Sequence, residues 1–244
     1  MLLAMKRART ATHLKLLNAS QPVFSPVKRD VPMVIVNAVY VPIYHFIVIP
    51  PAIIFAPFFQ VEGVPAALNN GSLGHVIGHE ITHSFDEDFG LYNELGERED
   101  WWSPQSRENF NERLRCLRRL YNETSEATSI AFGNTALAEN FADCGGIAKA
   151  LQAFQDLGPQ PGFSIGGRQF SADQLFVASC YKWCWPLSEL RKLRSSGDKD
   201  DVVKYYSPMD MRCNVPLMNT PEFAKAFACA NGSDMNSFSR CEVL

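Results

Sequence analysis

Five residues constrain this chain more than any others: His79-Glu80-Ile81-Thr82-His83, following directly on Leu73-Gly74-His75-Val76-Ile77-Gly78. Residues four apart on an α-helix share one face. A helix through this run therefore aims His79 and His83 the same way, with ring nitrogens near enough to share one ion. Glu80 then lies beside that ion rather than on it, where its carboxylate can take a proton from an attacking water. Two neutral imidazoles and one oxygen ligand suit Zn2+ with a fourth position left open.

A pattern this short arises by chance in many proteins, so its surroundings decide. Val76 and Ile77 on one side and Ile81 and Phe85 on the other predict a buried helix. Histidines and a glutamate on such a helix need partners, because burying an unpaired polar group is costly. Acids for that role stand in Ala138-Glu139-Asn140-Phe141-Ala142-Asp143-Cys144. Leu137, Phe141, Cys144, Ile147, Leu151 and Phe154 recur at helical spacing, which predicts a second amphipathic helix. Glu139 and Asp143 share a face of it. One of the two can complete the ion's ligand set while the other accepts an imidazole N–H and fixes its tautomer.

At 244 residues, 46% of them hydrophobic, the chain can bury one substantial core. A net charge of −3 gives no electrostatic case for nucleic acid. Arg107, Arg113, Arg115, Arg118 and Arg119 alternate with Phe110, Leu114, Leu117 and Tyr121, which predicts the wet face of a helix rather than a binding patch. Ser103-Pro104 opens that helix, serine as cap and proline in the first turn. Further helices are expected at 171–184 and 187–195, and from Thr220-Pro221 to about Cys229.

Residues 31–59 are almost wholly apolar, but Pro32, Pro42, Pro50, Pro51 and Pro57 leave no run near the ~18–20 residues of a membrane-spanning helix. Val, Ile, Tyr and Phe between the prolines favour strands, and an edge strand through Asn37-Ala38 could pair with an extended peptide. Residues 1–30 carry basic residues and no acid before Asp30, and read as a remnant or partial segment ahead of a domain over 31–244. Asp86-Glu87-Asp88-Phe89-Gly90 lacks the ligand spacing of a calcium site and reads as a loop. The seven cysteines lack the paired spacing of a structural zinc site and are unusual for a cytosolic enzyme.

Several blocks occur in one order: Asn37-Ala38-Val39-Tyr40, Ile49-Pro50-Pro51-Ala52-Ile53, Pro57-Phe58-Phe59, Ala67-Leu68-Asn69 and the His79–His83 helix. Trp101-Trp102, Glu139-Asn140, Ala142-Asp143, Gly145-Gly146, Gln174-Leu175-Phe176, Trp183-Cys184 and Cys241-Glu242-Val243 follow. From about residue 33 onward this order resembles the C-terminal catalytic region of the neprilysin and endothelin-converting-enzyme family of zinc peptidases. The resemblance implies an α+β, mostly helical, thermolysin-like peptidase domain with a small N-terminal strand region. It implies a zinc-dependent metalloendopeptidase that cuts short peptides before apolar residues. One Zn2+ is then held by His79, His83 and Glu139, with Glu80 as base and Asp143 orienting His79. Asn37 and Ala38 bind the substrate backbone, and Arg212 holds a substrate carbonyl. An extracellular or plasma-membrane ectodomain setting follows from the same resemblance, with a Cys116–Cys241 bridge and with Cys184 and Cys229 left without partners in this chain.

The chain departs from the family at Tyr206-Ser207-Pro208, where relatives carry His-Ser-Pro. That histidine stabilises the oxyanion of the tetrahedral intermediate. A tyrosine hydroxyl still donates a hydrogen bond but brings no charge, and losing one such donor costs about 10²–10³ in rate. The alternative reading is accordingly a catalytically weakened relative that binds peptides or a protein partner. Retention of Glu80 and of all three ligand residues favours the peptidase.

Overall fold

The computed structural model of the chain describes residues 34–124, 131–160, 162–165, 167–171, 173–184 and 205–243, which are mostly helical. They belong to the unit Met33–Leu244. The expected segment over residues 1–30 and the expected helix at 187–195 lie outside the described residues.

Strands β1 (Val39–Val41) and β2 (Phe46–Val48) form an antiparallel pair with Val39 opposite Val48. His45 closes the turn between them with left-handed backbone, its Nδ1 2.8 Å from the Tyr40 hydroxyl. The expected edge strand starts late: Asn37 and Ala38 lead into β1 without joining it. Val39-Tyr40-Val41 has the β-branched and aromatic side chains a pleated surface favours, and Asn-Ala does not.

Helix α1 (Ala66–Asn69) runs through a π-helical turn (Asn70–Gly74) into α2 (His75–His83). Helices α3 (Pro104–Thr124), α4 (Phe132–Thr135) and α5 (Leu137–Asp156) follow. Ser103 Oγ accepts the Ser106 N–H at 3.1 Å and caps α3 as expected. Phe110, Leu114, Leu117 and Tyr121 face the core, while Arg115 and Arg119 stay outside. A hairpin of β3 (Phe163–Ile165) and β4 (Arg168–Phe170) was not anticipated. Its sequence signal is Gly166-Gly167 between short apolar runs. Helices α6 (Gln174–Tyr181), α7 (Met209–Met218) and α8 (Pro221–Ala226) complete the described elements; α6 is shorter than the expected 171–184.

The core is organised around α5. Phe141 and Cys144 pack with Phe110, Leu114 and Leu117 of α3 and with Met211 and Val215 of α7. On its other side Ile147 and Phe154 pack with Leu175 and Phe176 of α6 and with Leu217. Helix α2 crosses α5 at a pair of glycines. A Cβ on Gly78 would lie 2.7 Å from the Gly146 carbonyl oxygen, and one on Gly146 would lie 2.9 Å from the His79 nitrogen. Only glycine at both positions allows that approach, and the approach brings α2 imidazoles within reach of α5 carboxylates.

One expectation about α2 is overturned. Ile81 and Phe85, assigned to its buried side, are each 41% exposed, whereas His75, His79, Glu80, Thr82 and His83 are buried. The face turned toward α5 meets carboxylates and backbone carbonyls, so α2 buries its donors and acceptors and leaves part of its apolar surface outside.

The Cys116–Cys241 bridge implied by the resemblance is formed. A second bridge, Cys180–Cys213, ties α6 to α7. Cys144, Cys184 and Cys229 are free thiols. No helix among the described residues is long and apolar enough to cross a membrane.

Candidate metal centre and active site

Each turn of α2 places a polar side chain toward α5. His79 Nε2 and His83 Nε2 are 3.1 Å apart. Glu139 closes the triangle, its Oε2 3.2 Å from His79 Nε2 and its Oε1 3.6 Å from His83 Nε2. Tetrahedral ligands about 2.0–2.1 Å from zinc stand roughly 3.3 Å apart, so these separations suit one such ion.

The far nitrogens point to the same fit. His79 Nδ1 is 2.9 Å from Asp143 Oδ1, and His83 Nδ1 is 2.8 Å from Asp86 Oδ2. Each carboxylate draws the proton to Nδ1, which turns both Nε2 lone pairs toward one point. Two lone pairs converging with a carboxylate oxygen call for a cation, or in its absence a proton, among them. The cluster of buried His79 and His83 with half-buried Glu139 therefore fits a metal ion of the zinc type.

Electrostatics follow from burial and these contacts. Burial lowers His79, but hydrogen bonds to Asp143 and Glu139 outweigh it and hold the metal-free imidazole up at about 9. Burial would raise Glu139, yet the His79 hydrogen bond and the neighbouring His79, His83 and Arg212 charges leave it lowered. For Asp143, completely buried, burial is overridden by Arg212 and His79, and the carboxyl lies well below its ordinary range.

Glu80 is also buried, and desolvation raises its carboxyl despite the nearby imidazoles. A backbone hydrogen bond from Tyr40 reaches it, which sets β1 alongside the centre. Asn37 and Ala38 immediately precede that strand, the first exposed and the second buried.

Arg212 of α7 grips Asp143 with two donors, Nε to Oδ2 at 2.7 Å and Nη2 to Oδ1 at 2.9 Å, and Nη2 lies 3.4 Å from Glu139 Oε2. Its guanidinium also lies over the Trp183 and Tyr206 rings, 4.2 Å and 4.8 Å from their centroids. Tyr206 is thus at the centre's edge, its hydroxyl pKa raised by burial and by Glu139. Ser207 donates to Asn140 Oδ1 at 2.6 Å, which fastens this segment to α5 one residue from Glu139.

The structure thus gathers His79, His83, Glu139, Glu80, Asp143, Arg212 and Tyr206 around one point. Two further residues of the centre received no role from sequence. Asp86 falls in the acidic run expected as plain loop, although an acid three residues after His83 lies within reach of its ring. Asn140 stands inside a quoted motif, and its buried amide shows its use only once Ser207 is placed against it.

Comparison with known proteins agrees. Residues 37–243 match the model of Peptidase family M13. Neprilysin-21 of Caenorhabditis elegans is 34% identical over 216 residues, covering 85% of this chain and 27% of that protein. Endothelin-converting enzyme 1 of Rattus norvegicus is 35% identical over 211 residues, again 85% of this chain and 27% of the relative. The crystal structure of Mycobacterium tuberculosis zinc metalloprotease ZMP1 in complex with inhibitor superposes with a TM-score of 0.69 at 30% identity, over 85% of this chain and 32% of that one. The chain therefore spans about a quarter of the length of the curated relatives it matches.

Proposed function

The chain belongs to peptidase family M13, and from that premise we propose that it acts as a zinc metalloendopeptidase on short peptides, cutting before apolar residues. The convergence of His79 Nε2, His83 Nε2 and Glu139 on one point, with both Nδ1 atoms bound by carboxylates, carries this reading.

His79, His83 and Glu139 hold the ion in this proposal. Zn2+, when bound, supplies a Lewis acid that polarises the scissile carbonyl and lowers the pKa of water toward ~7. Glu80 removes the proton from the attacking water and delivers it to the leaving amine, a task its raised pKa suits. Asp143 and Asp86 keep the two imidazoles in the Nδ1–H tautomer. An extended peptide lies along Asn37-Ala38 and β1, main chain to main chain. Arg212 aims Nε and Nη2 at Asp143 and Glu139, and Nη1 is the end assigned to a substrate carbonyl. The Tyr206 hydroxyl donates to the oxyanion. Two disulfides favour an extracellular or ectodomain setting.

Tyr206 also favours a second reading, a weakened relative that binds peptides without turning them over, because its hydroxyl brings no charge to the oxyanion. The test is kcat/KM on a quenched peptide with an apolar residue after the cut, for the parent chain and Y206H, with E80Q as the blank. Activity above the blank that rises about 10²-fold in Y206H is expected. Folded, zinc-loaded protein with both variants at the blank would overturn the peptidase and leave the binding module.

A further inference from the structure

Behind the ligand set lies a second hydrogen-bonded chain that the proposed chemistry does not use. His75, one turn before His79 on α2, is 2% exposed. Its Nε2 lies 3.2 Å from the Asp143 carbonyl oxygen and its Nδ1 2.7 Å from Lys182 Nζ. Lys182 also donates to the Ser179 carbonyl at 2.7 Å and lies 5.0 Å from the Trp183 ring centroid. A backbone carbonyl only accepts. His75 Nε2 therefore carries the ring proton and donates it to the Asp143 carbonyl, which leaves Nδ1 of the neutral ring to accept from Lys182.

Asp143 is thus held at both ends. Its carboxylate is fixed by Arg212 of α7, and its carbonyl by His75 with Lys182, just past the end of α6. The Cys180–Cys213 bridge joins the two suppliers, since Cys180 is two residues from Lys182 and Cys213 adjoins Arg212. We infer that Lys182 is a positioning residue of the metal centre: it fixes the tautomer of His75, through it the backbone of Asp143, and through Asp143 the ring of His79. This inference rests on the zinc reading above.

Packing alone is a poor reason for such a pair. Desolvation pushes Lys182 down to about 7 against the pull of Asp143 and with the repulsion of Arg212. Burial and the Lys182 charge keep His75 neutral. Removing the Lys182 amine relieves its desolvation and leaves one His75 acceptor unpaired, two effects of opposite sign on stability, so a merely structural role moves at most Tm and leaves zinc affinity alone. A structural role and a positioning role therefore predict different results for K182M.

The experiment measures zinc Kd by competition with a chromophoric chelator, kcat, KM and Tm for the parent, K182M, K182R, H75L and K182M/H75L. K182M should weaken zinc binding and lower kcat about tenfold, the lower end for outer-shell partners, with KM within about twofold and Tm little changed. K182R, which keeps a cationic donor, should recover part of both losses. The double variant should be no worse than H75L, because Lys182 acts through His75. Zinc affinity and kcat within about twofold of the parent in K182M would overturn the inference, as would losses that track a falling Tm or that multiply in the double variant. A parent chain that itself fails to bind zinc would sink the zinc reading, and the inference with it, before any variant is compared.

Discussion

Asp143→Asn tests the architecture most directly, because Asp143 serves two buried groups at once. The side chains are close in volume, so the change removes charge and leaves little cavity. In the parent, Asp143 is 0% and Arg212 8% exposed, with 2.7 and 2.9 Å contacts between them. Removing one partner of a buried ion pair strands the other and costs about 3–5 kcal/mol. Glu139, 3.4 Å from Arg212 Nη2, still offers a negative charge, which places the expected loss near the lower bound, about 3 kcal/mol. His79 loses its carboxylate as well, so zinc affinity should fall about 10–100-fold. The control is Asp86→Asn. Asp86 accepts from His83 at 2.8 Å and from the Asp88 and Phe89 N–H groups at 2.9 and 2.7 Å, but it neutralises no buried guanidinium. Asparagine keeps an acceptor for those N–H groups, so stability should drop by at most about 1 kcal/mol while zinc affinity falls as much as in D143N. Urea unfolding of the zinc-free, disulfide-intact proteins, paired with chelator competition, reads both quantities. Equal stability losses in the two variants, or zinc affinity unchanged in either, would refute the reasoning.

Other outcomes follow from the same geometry. E80Q should retain zinc affinity within a few-fold, because Glu80 is not among the converging ligands, yet lose at least ~10²-fold in kcat; comparable activity in E80Q would remove Glu80 as the base. Zinc must displace a proton from His79, held at about 9 in the metal-free chain, so apparent affinity should climb roughly tenfold per pH unit below that value and level off above it. Calorimetric titrations at three pH values check this, and a flat profile would contradict it. The sign for the metal-free fold is the reverse: stability from protonated His79 is full below its ordinary 6.5 and is lost as pH rises through about 9. Replacing Cys116 and Cys241 by alanine opens a crosslink between residues 125 apart in sequence, worth up to about 5 kcal/mol by chain entropy; thermal unfolding showing a loss below about 1 kcal/mol would mean the bridge adds little.

Much of the site was legible before any coordinates, because its signals are local. Four-residue spacing on a helix is geometry, so His79 with His83 and Glu139 with Asp143 could be paired on their faces from sequence alone. Order among many short blocks supplied the family. Burial read from apolar residues failed on α2, since Ile81 and Phe85 turn outward and polar residues turn in. Amphipathic reasoning assumes an apolar neighbour, and the neighbour of α2 is a row of carboxylates and carbonyls. Asp86 reads as loop because a turn-rich acidic run gives no sign of which acid faces inward. Cys180–Cys213 was invisible for a related reason: only the packing of α6 beside α7 brings those thiols together.

The sequence by itself determined the candidate metal-binding face, the candidate base and the family, since each rests on helical periodicity or on linear order. Tertiary structure decided that Asp86 meets His83, and it closed across 64 residues the Asp143–His79 contact that the family resemblance implied. It also decided that His75 and Lys182, 107 residues apart, stand behind Asp143. Those pairings depend on how closely α2 approaches α5, and that distance is set where Gly78 crosses Gly146, a contact no local pattern encodes.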